Sequence, residues 1–205
     1  MFSRLKRVLS DPLGAALGMA AKIYAFRLAR RKGIHVQGRI TLVGIPIIDI
    51  GRNASLHIDD NVTLNSRNRG YHINMHSPVK LFADREGAEI RIGQNTRIHG
   101  ACVHAYKSVT IGRNCLIAAN CQIMDGSGHD LSFPNVEDRI HTRGDARPVV
   151  IEDNVWIGAD SIVLPGVTIG RGSVISANSV VVRDVPPMAL AGGNPASVIK
   201  DYSKA

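Results

Sequence analysis

Aromatic side chains are scarce in this chain: one Trp, four Tyr and four Phe among 205 residues. Such a shortage speaks against a core of packed rings and fits an interior too narrow for them. No stretch approaches the ~20 consecutive apolar residues that would span a bilayer. Cysteine is limited to Cys102, Cys115 and Cys121, whose spacing matches no zinc pattern and gives no disulfide framework. Free thiols of this kind point to a reducing cytoplasm. Acid is nearly missing from the start of the chain. Residues 1–32 hold Arg4, Lys6, Arg7, Lys22, Arg27, Arg30, Arg31 and Lys32 against Asp11 alone, so almost all of the formal net charge of +8 sits there. Few aromatics accompany these cations and no recognition module is present, which argues against a nucleic-acid partner.

What the chain does have is a six-residue beat, clearest over residues 151–186: IEDNVW, IGADSI, VLPGVT, IGRGSV, ISANSV, VVRDVP. The first slot is aliphatic, the fourth is Asn, Asp or Gly, and the fifth is Val or Ser. Upstream, hexads with the same slots start at Ile50, Ile58, Ile92, Ile98, Ile111, Ile117 and Ile123. Their fourth-slot residues are Asn53, Asn61, Asn95, Ala101, Asn114, Asn120 and Gly126, and Ala101 alone breaks the rule. The fifth slots are small, and all three cysteines fall there, which predicts packed core thiols. One short strand cannot bury its aliphatic residue alone, whereas stacked short strands bury a column of them. A sharp corner between such strands needs φ > 0, which Asn, Asp and Gly tolerate. The pattern predicts an all-β solenoid.

The chain divides into a basic helical extension (1–33), a repeat body (34–190) and a C-terminal tail (191–205). In the extension, Ser10-Asp11-Pro12 is a helix start and Gly33 a stop. Leu13, Leu17, Ala20, Tyr24 and Leu28 recur at helical spacing. Three roles fit this segment: packing across the solenoid mouth or a neighbouring subunit, lying on an anionic membrane at the inner face of the cytoplasmic membrane, or a signal peptide. The last fits poorly, because the apolar stretch is short, interrupted and rich in Ala and Gly.

Two segments break the beat. Residues 65–90 carry it weakly. Residues 129–148 hold His129, Asp130, Glu137, Asp138, His141 and Asp145 with Arg139, Arg143 and Arg147, and predict a loop thrown outward with one degenerate strand. Interruptions of a solenoid are where function attaches. His129 follows Gly126-Ser127-Gly128, where the regular prism opens, and an imidazole titrating near neutrality is suited to general-base work.

The run DNVWIGADSIVLPGVTIGRGSVISANSVVVRDVPP, followed by AGGNPASVIK, resembles the hexapeptide-repeat acyltransferase family, and IGRNCLIAANCQI with GSGHD resembles the coil bearing its catalytic histidine. The resemblance implies a left-handed parallel β-helix, three hexads per triangular coil, a homotrimer, and acetyl-CoA as co-substrate with no metal. The handedness comes from the resemblance alone, since parallel crossovers are ordinarily right-handed. It places the catalytic base on His129 and coenzyme contacts on Trp156, Ala159, Ala177 and Lys200, with Arg183 as a second phosphate contact. Asp130 and Tyr106 are candidates for binding the acceptor. Relatives acting on maltose or galactosides carry an aspartate pair where this chain reads His104-Ala105-Tyr106-Lys107, so their acceptor specificity does not carry over. The chain is more similar to O-acetyltransferases of surface polysaccharides, which implies a nucleotide- or lipid-linked carbohydrate acceptor. Three rival readings accompany this one. They are N-acetylation of an amino sugar, a non-catalytic scaffold, and a gamma-type carbonic-anhydrase-like zinc hydratase using His99, His104 and either His72 or His76.

Overall fold

The computed structural model describes residues 11–204. Short strands follow one another around a three-sided prism. The first coil is β1 (Ile34–Val36), β2 (Ile40–Val43) and β3 (Ile47–Ile50); the second is β4 (Ser55–Ile58), β5 (Val62–Asn65) and β6 (Lys80–Ala83). Next come β7 (Glu89–Ile92), β8 (Arg97–His99) and β9 (Cys102–Ala105), then β10 (Ser108–Ile111), β11 (Leu116–Ile117) and β12 (Gln122–Met124). The last coils are β13 (Val149–Ile151), β14 (Trp156–Ile157) and β15 (Ile162–Val163), and β16 (Thr168–Ile169), β17 (Val174–Ile175) and β18 (Val180–Val181). Each strand pairs in parallel with the strand three places on, which makes three sheets: β1-β4-β7-β10-β13-β16, a second starting β2-β5-β8-β11-β14-β17, and a third, β3-β6-β9-β12-β15-β18. Two further strands, β19 (Ala189–Gly193) and β20 (Ala196–Asp201), form an antiparallel pair that extends the second sheet.

The first slot of the beat is the core. Ile151 lies beside Ile169, Ile157 beside Ile175 and Val163 beside Val181, and all of these are buried. The fourth slot is the corner. Asn53, Asn61, Asn95, Asn114, Asn120, Asn154, Asp160 and Asn178 all have φ between 55° and 63°. Their side chains also stack: Asn61 donates to Asn95, Asn95 to Asn114 and Asn114 to Asn154, at 2.9, 3.0 and 3.1 Å. Asn therefore supplies both the left-handed turn and a ladder along the prism edge. In the fifth slot, Ser161, Ser173 and Ser179 are buried with their hydroxyls donating to main-chain carbonyls at 3.1, 2.7 and 2.7 Å, so burial leaves none of these three hydroxyls unpaired.

Ala101 breaks the corner rule because the corner is one residue earlier, at Gly100 (φ 50°). The shift puts Ala101 in the inward fifth slot, fully buried. Cys102 is consequently not a core thiol: it turns outward on β9 and is half-buried, while Cys115 and Cys121 are buried as the repeat requires. Burial pushes the Cys121 thiol up to about 12. The first coil lies ahead of Ile50, where the sequence shows no regular hexad. The irregular segment after β5 contributes β6 and a flap over residues 66–79. This flap is closed by Asn68, whose amide donates to the Met75 carbonyl (3.0 Å) and accepts from its N–H (2.6 Å).

Helix α1 (Pro12–Leu28) starts with the Asp11 carboxylate accepting from the Gly14 N–H at 2.9 Å. It stops at Leu28, and a turn leads to Gly33 (φ 80°); the stop is thus earlier than Gly33. The helix covers the open first coil. Leu28 joins the core cluster with Ile34 and Ile48, and Tyr24 packs on it, while Arg31 donates to the Ile48 carbonyl at 3.0 Å. The face that packs is Leu17, Ala21, Tyr24 and Leu28. Leu13, expected on that face, points to solvent.

Candidate active site

The histidine loop leaves the third sheet after β12 and returns to the first sheet at β13, so it stands on the corner between them. Its base is pinned by Asp125, a buried carboxylate that accepts the N–H groups of Tyr106, Lys107 and Ser108 at 2.7, 2.7 and 2.6 Å. The Asp125 carbonyl in turn accepts the Arg147 N–H at 2.7 Å, which ties the outgoing strand to the returning one. Gly126 and Ala146 form an antiparallel bridge just above. Gly126 is required by space, because a Cβ there would collide with the Tyr106 ring. Instead of a degenerate strand, the outer loop holds a 3-10 helix, Val136–His141.

His129 is exposed, with its ring Nδ1 3.2 Å from the carbonyl oxygen of Thr142. The main chain on both sides of it is fixed. Ser127 Oγ donates to the His129 carbonyl at 3.0 Å, and the Asp130 N–H donates to Thr142 Oγ1 at 2.8 Å. Thr142 Oγ1 donates onward to the Arg139 carbonyl at 2.8 Å. With Nδ1–H directed at a carbonyl, Nε2 is left with a lone pair facing outward. Asp130 Oδ1 accepts from the Ser132 N–H at 3.1 Å, so its carboxylate helps to shape the loop.

A polar-aromatic patch lies under the loop. The Arg85 guanidinium sits 3.5 Å over the Tyr106 ring and donates to the Gly144 carbonyl at 3.0 Å. Tyr106 meets the His104 ring edge-on at 4.5 Å, and His104 stacks on Phe82 at 4.7 Å. His104 Nε2 is 3.4 Å from an Asp84 carboxylate oxygen. Thus His104, which stands where the sugar-modifying relatives carry an aspartate pair, has an acidic neighbour from the coil below, delivered by the register Ala83–Ala105. Asp125, Thr142, Arg85 and Asp84 were not picked out from sequence. For Asp125 the available signal was an acid in the third slot of its hexad. Asp60 and Asp153 share that slot and likewise accept one main-chain N–H each, from Arg39 (2.7 Å) and Arg113 (2.8 Å) of the preceding coil.

The coenzyme candidates lie elsewhere on the prism. Trp156 is 51% exposed on the second sheet, between Leu116 and Val174. Ala159, buried, and Ala177, exposed, belong to stacked corners between the second and third sheets. There the Gly158 backbone lies so close to the Ala177 amide that a Cβ would not fit. Lys200 pairs with Leu190 on the far edge of the second sheet, and its Nζ is 4.6 Å from the Tyr202 ring centre. Beside it, Gly172, Val174, Met188, Ala189, Leu190 and Tyr202 line an apolar groove of about 400 Å³. Arg183 does not join this group: it is exposed in the link from β18 toward the first sheet, on the same corner as the histidine loop.

Within a single chain the four histidines of the hydratase reading, which takes its ligands from across subunits, do not converge on one set. His99 is on the second sheet and His104 on the third, and the described residues contain no group of His, Cys, Asp or Glu able to hold a metal. His99 is instead sandwiched: Tyr71 stacks on it at 4.4 Å and its Nδ1 lies 3.2 Å from the Asn65 amide nitrogen. Burial, then Arg97 and His72, lower its pKa to about 4.

Residues 148–183 match the family described as bacterial transferase hexapeptide (six repeats), and residues 89–124 match the hexapeptide repeat of succinyl-transferase. A provisionally named acetyltransferase of Saccharomyces cerevisiae is 44% identical over 119 residues, covering 58% of this chain and 59% of that protein. The chain thus spans well under two thirds of that relative. A hexapeptide-repeat-containing acetyltransferase from Vibrio cholerae, complexed with acetyl-CoA, is 37% identical over 60% of this chain and 66% of its own, with a TM-score of 0.54. A galactoside acetyltransferase in complex with coenzyme A is 36% identical over 62% and 61%, with a TM-score of 0.54. The chain thus carries hexapeptide-repeat matches in two segments and is similar to hexapeptide-repeat acetyltransferases.

Proposed function

We propose that the protein transfers an acetyl group from acetyl-CoA to a sugar hydroxyl, on a nucleotide- or lipid-linked precursor of a cell-surface glycan, with His129 as general base. The observation that carries this reading is the orientation of His129, whose Nδ1 is held by the Thr142 carbonyl on an otherwise exposed loop. Nε2 takes the hydroxyl proton as the sugar oxygen attacks the thioester carbonyl carbon. A C–O bond forms and the C–S bond breaks. The imidazolium then returns the proton to the departing thiolate, giving the ester and the free thiol. A positioned base contributes ~10²–10⁴ in rate, and holding both substrates together supplies much of the rest.

The second sheet suits the coenzyme. An exposed indole and a closely packed Gly158–Ala177 backbone offer a smooth path for a thin arm. Lys200 beside an apolar groove offers a cation for phosphate. That surface and His129 occupy different edges of one prism. The loop also exposes Leu131, Phe133 and Ile140, which its own chain does not cover. Both features support a closed homotrimer in which the loop of one prism meets the second sheet of the next. The patch of Asp84, Arg85, His104 and Tyr106 supplies the polar and aromatic groups that a carbohydrate acceptor needs.

Thiol release from acetyl-CoA, measured across a panel of free, nucleotide-linked and lipid-linked sugars, tests the reaction. Trp156 fluorescence should change on adding coenzyme A, and Lys200→Glu should weaken that binding more than it weakens binding of the dephospho form. Absence of coenzyme binding would leave a scaffold. Stoichiometric zinc with hydration of carbon dioxide would leave the hydratase.

A further inference from the structure

Helix α1 has two apolar faces, and the fold uses one. Opposite the packed face, Met19, Ile23 and Phe26 are 60%, 49% and 61% exposed. A Cβ added at Gly18, among them, would meet nothing within 4 Å. Large apolar side chains gathered on one strip mark an interaction surface. Cations border this strip: Lys22, Arg27 and Arg30 are exposed on the same turns. The Arg30 guanidinium lies 3.5 Å over the Phe26 ring, so the apolar and cationic groups are interleaved. No Asp or Glu occurs between Asp11 and Asp49. Asp11 itself is paired with Arg67 (3.0 Å) and Arg69 (2.8 Å). The positive charge of the strip is therefore uncompensated.

This pairing decides between occupants. A second copy of the same helix would set cations against cations, which disfavours self-association through this face. A membrane of anionic lipids offers both an apolar layer and negative headgroups. The described residues contain no helix long and apolar enough to cross a bilayer, so the geometry is that of a helix lying on it.

We propose that the outer face of α1 is a docking surface for an anionic lipid bilayer. Met19, Ile23 and Phe26 enter the headgroup–acyl boundary, and Lys22, Arg27 and Arg30 meet the headgroups. The helix covers the first-coil end of the prism, whereas His129 stands on a corner between later coils. Docking leaves that corner open to solvent. The proposal does not depend on the reaction that His129 performs.

The test is flotation of the full-length protein with phosphatidylcholine vesicles, alone or with about one third phosphatidylserine. Binding is expected only with the anionic vesicles, weakening as salt rises beyond the Debye regime. Ile23→Ser/Phe26→Ser and, separately, Arg27→Glu/Arg30→Glu should each lower the partition coefficient at least ~10-fold, with the melting curve unchanged because these side chains are exposed. No flotation with anionic vesicles at low salt would overturn the proposal. So would variants that float like the parent, or variants that change the oligomeric mass while flotation stays the same; the latter would make the face a contact between copies.

Discussion

The His129 ring is oriented by a main-chain group: its Nδ1 lies 3.2 Å from the Thr142 carbonyl oxygen. No side-chain replacement removes that carbonyl, but its position depends on Thr142 Oγ1, which bridges the Asp130 N–H and the Arg139 carbonyl at 2.8 Å each. His129→Ala should lower kcat by at least ~10²-fold with coenzyme affinity kept. Thr142→Val should lower kcat by about tenfold without raising KM for acetyl-CoA, and Thr142→Ser should restore it. Steady-state kinetics of the three variants decides this; near-normal turnover of His129→Ala would remove it from the mechanism.

Asp125 is a second point of control, acting through the loop rather than on substrate. Its carboxylate is buried and accepts three main-chain N–H groups. Asp125→Asn replaces one acceptor oxygen with a donor facing those N–H groups. Hydrogen bonds to a charged acceptor contribute about 1.5–3 kcal/mol each, so a loss of about 3 kcal/mol in urea unfolding is expected. An unchanged midpoint would mean that the Tyr106–Ser108 turn holds itself.

The parts of this architecture that were legible in the sequence are those where one residue type answers one local demand. Asn114 and its ladder partners were readable because a left-handed corner selects Asn, Asp or Gly. Gly100 and Ala101 are both small, so nothing local tells which of them turns the corner, and Cys102 reads as a core position although it faces outward. The first coil was hidden because aliphatic residues stand on both faces of its strands: Ile48 is buried while Val43 and Ile47 are exposed. The same ambiguity misplaced Leu13, since α1 is apolar on two sides and periodicity alone does not say which side packs. His129 was marked by its glycines and by the break in the beat. Its supports were not, because Arg85 reaches Tyr106 and Gly144 only through the register between coils.

His99 makes stability depend on pH. Burial is the main cause of its lowered pKa of about 4, followed by Arg97 and His72. Above about 6.5, the ordinary value, the ring is neutral in both folded and unfolded chains and the contribution is complete. Between about 6.5 and 4 the unfolded chain takes up a proton that the folded one refuses, so stability falls as pH falls. Below about 4 both are charged and the dependence ends. The urea midpoint should therefore drop across that window, and His99→Gln should flatten that part of the profile. A profile of equal slope in the variant would assign the pH dependence to other groups.

His129 and Trp156 stand on different edges of one chain, which makes a specific prediction for mixed assemblies. Suppose each site takes its loop from one prism and its coenzyme face from the next. His129→Ala then disables the loop half only, and the double variant Trp156→Ala/Lys200→Glu disables the coenzyme half only. Each homotrimer is inactive or nearly so. After unfolding and refolding an equal mixture, half of all loops and half of all coenzyme faces are intact. If they combine at random in closed trimers, about one quarter of the sites regain both halves. Activity should thus rise from near zero in either variant to about a quarter of the parent value, with no change in KM for the restored sites. If both halves of a site came from one chain, mixing would restore nothing, because every chain in the mixture carries a defect. Recovery approaching one third, the most that closed trimers allow, would point to preferential pairing of unlike chains, and no recovery with intact trimers by light scattering would place the complete site within a single prism.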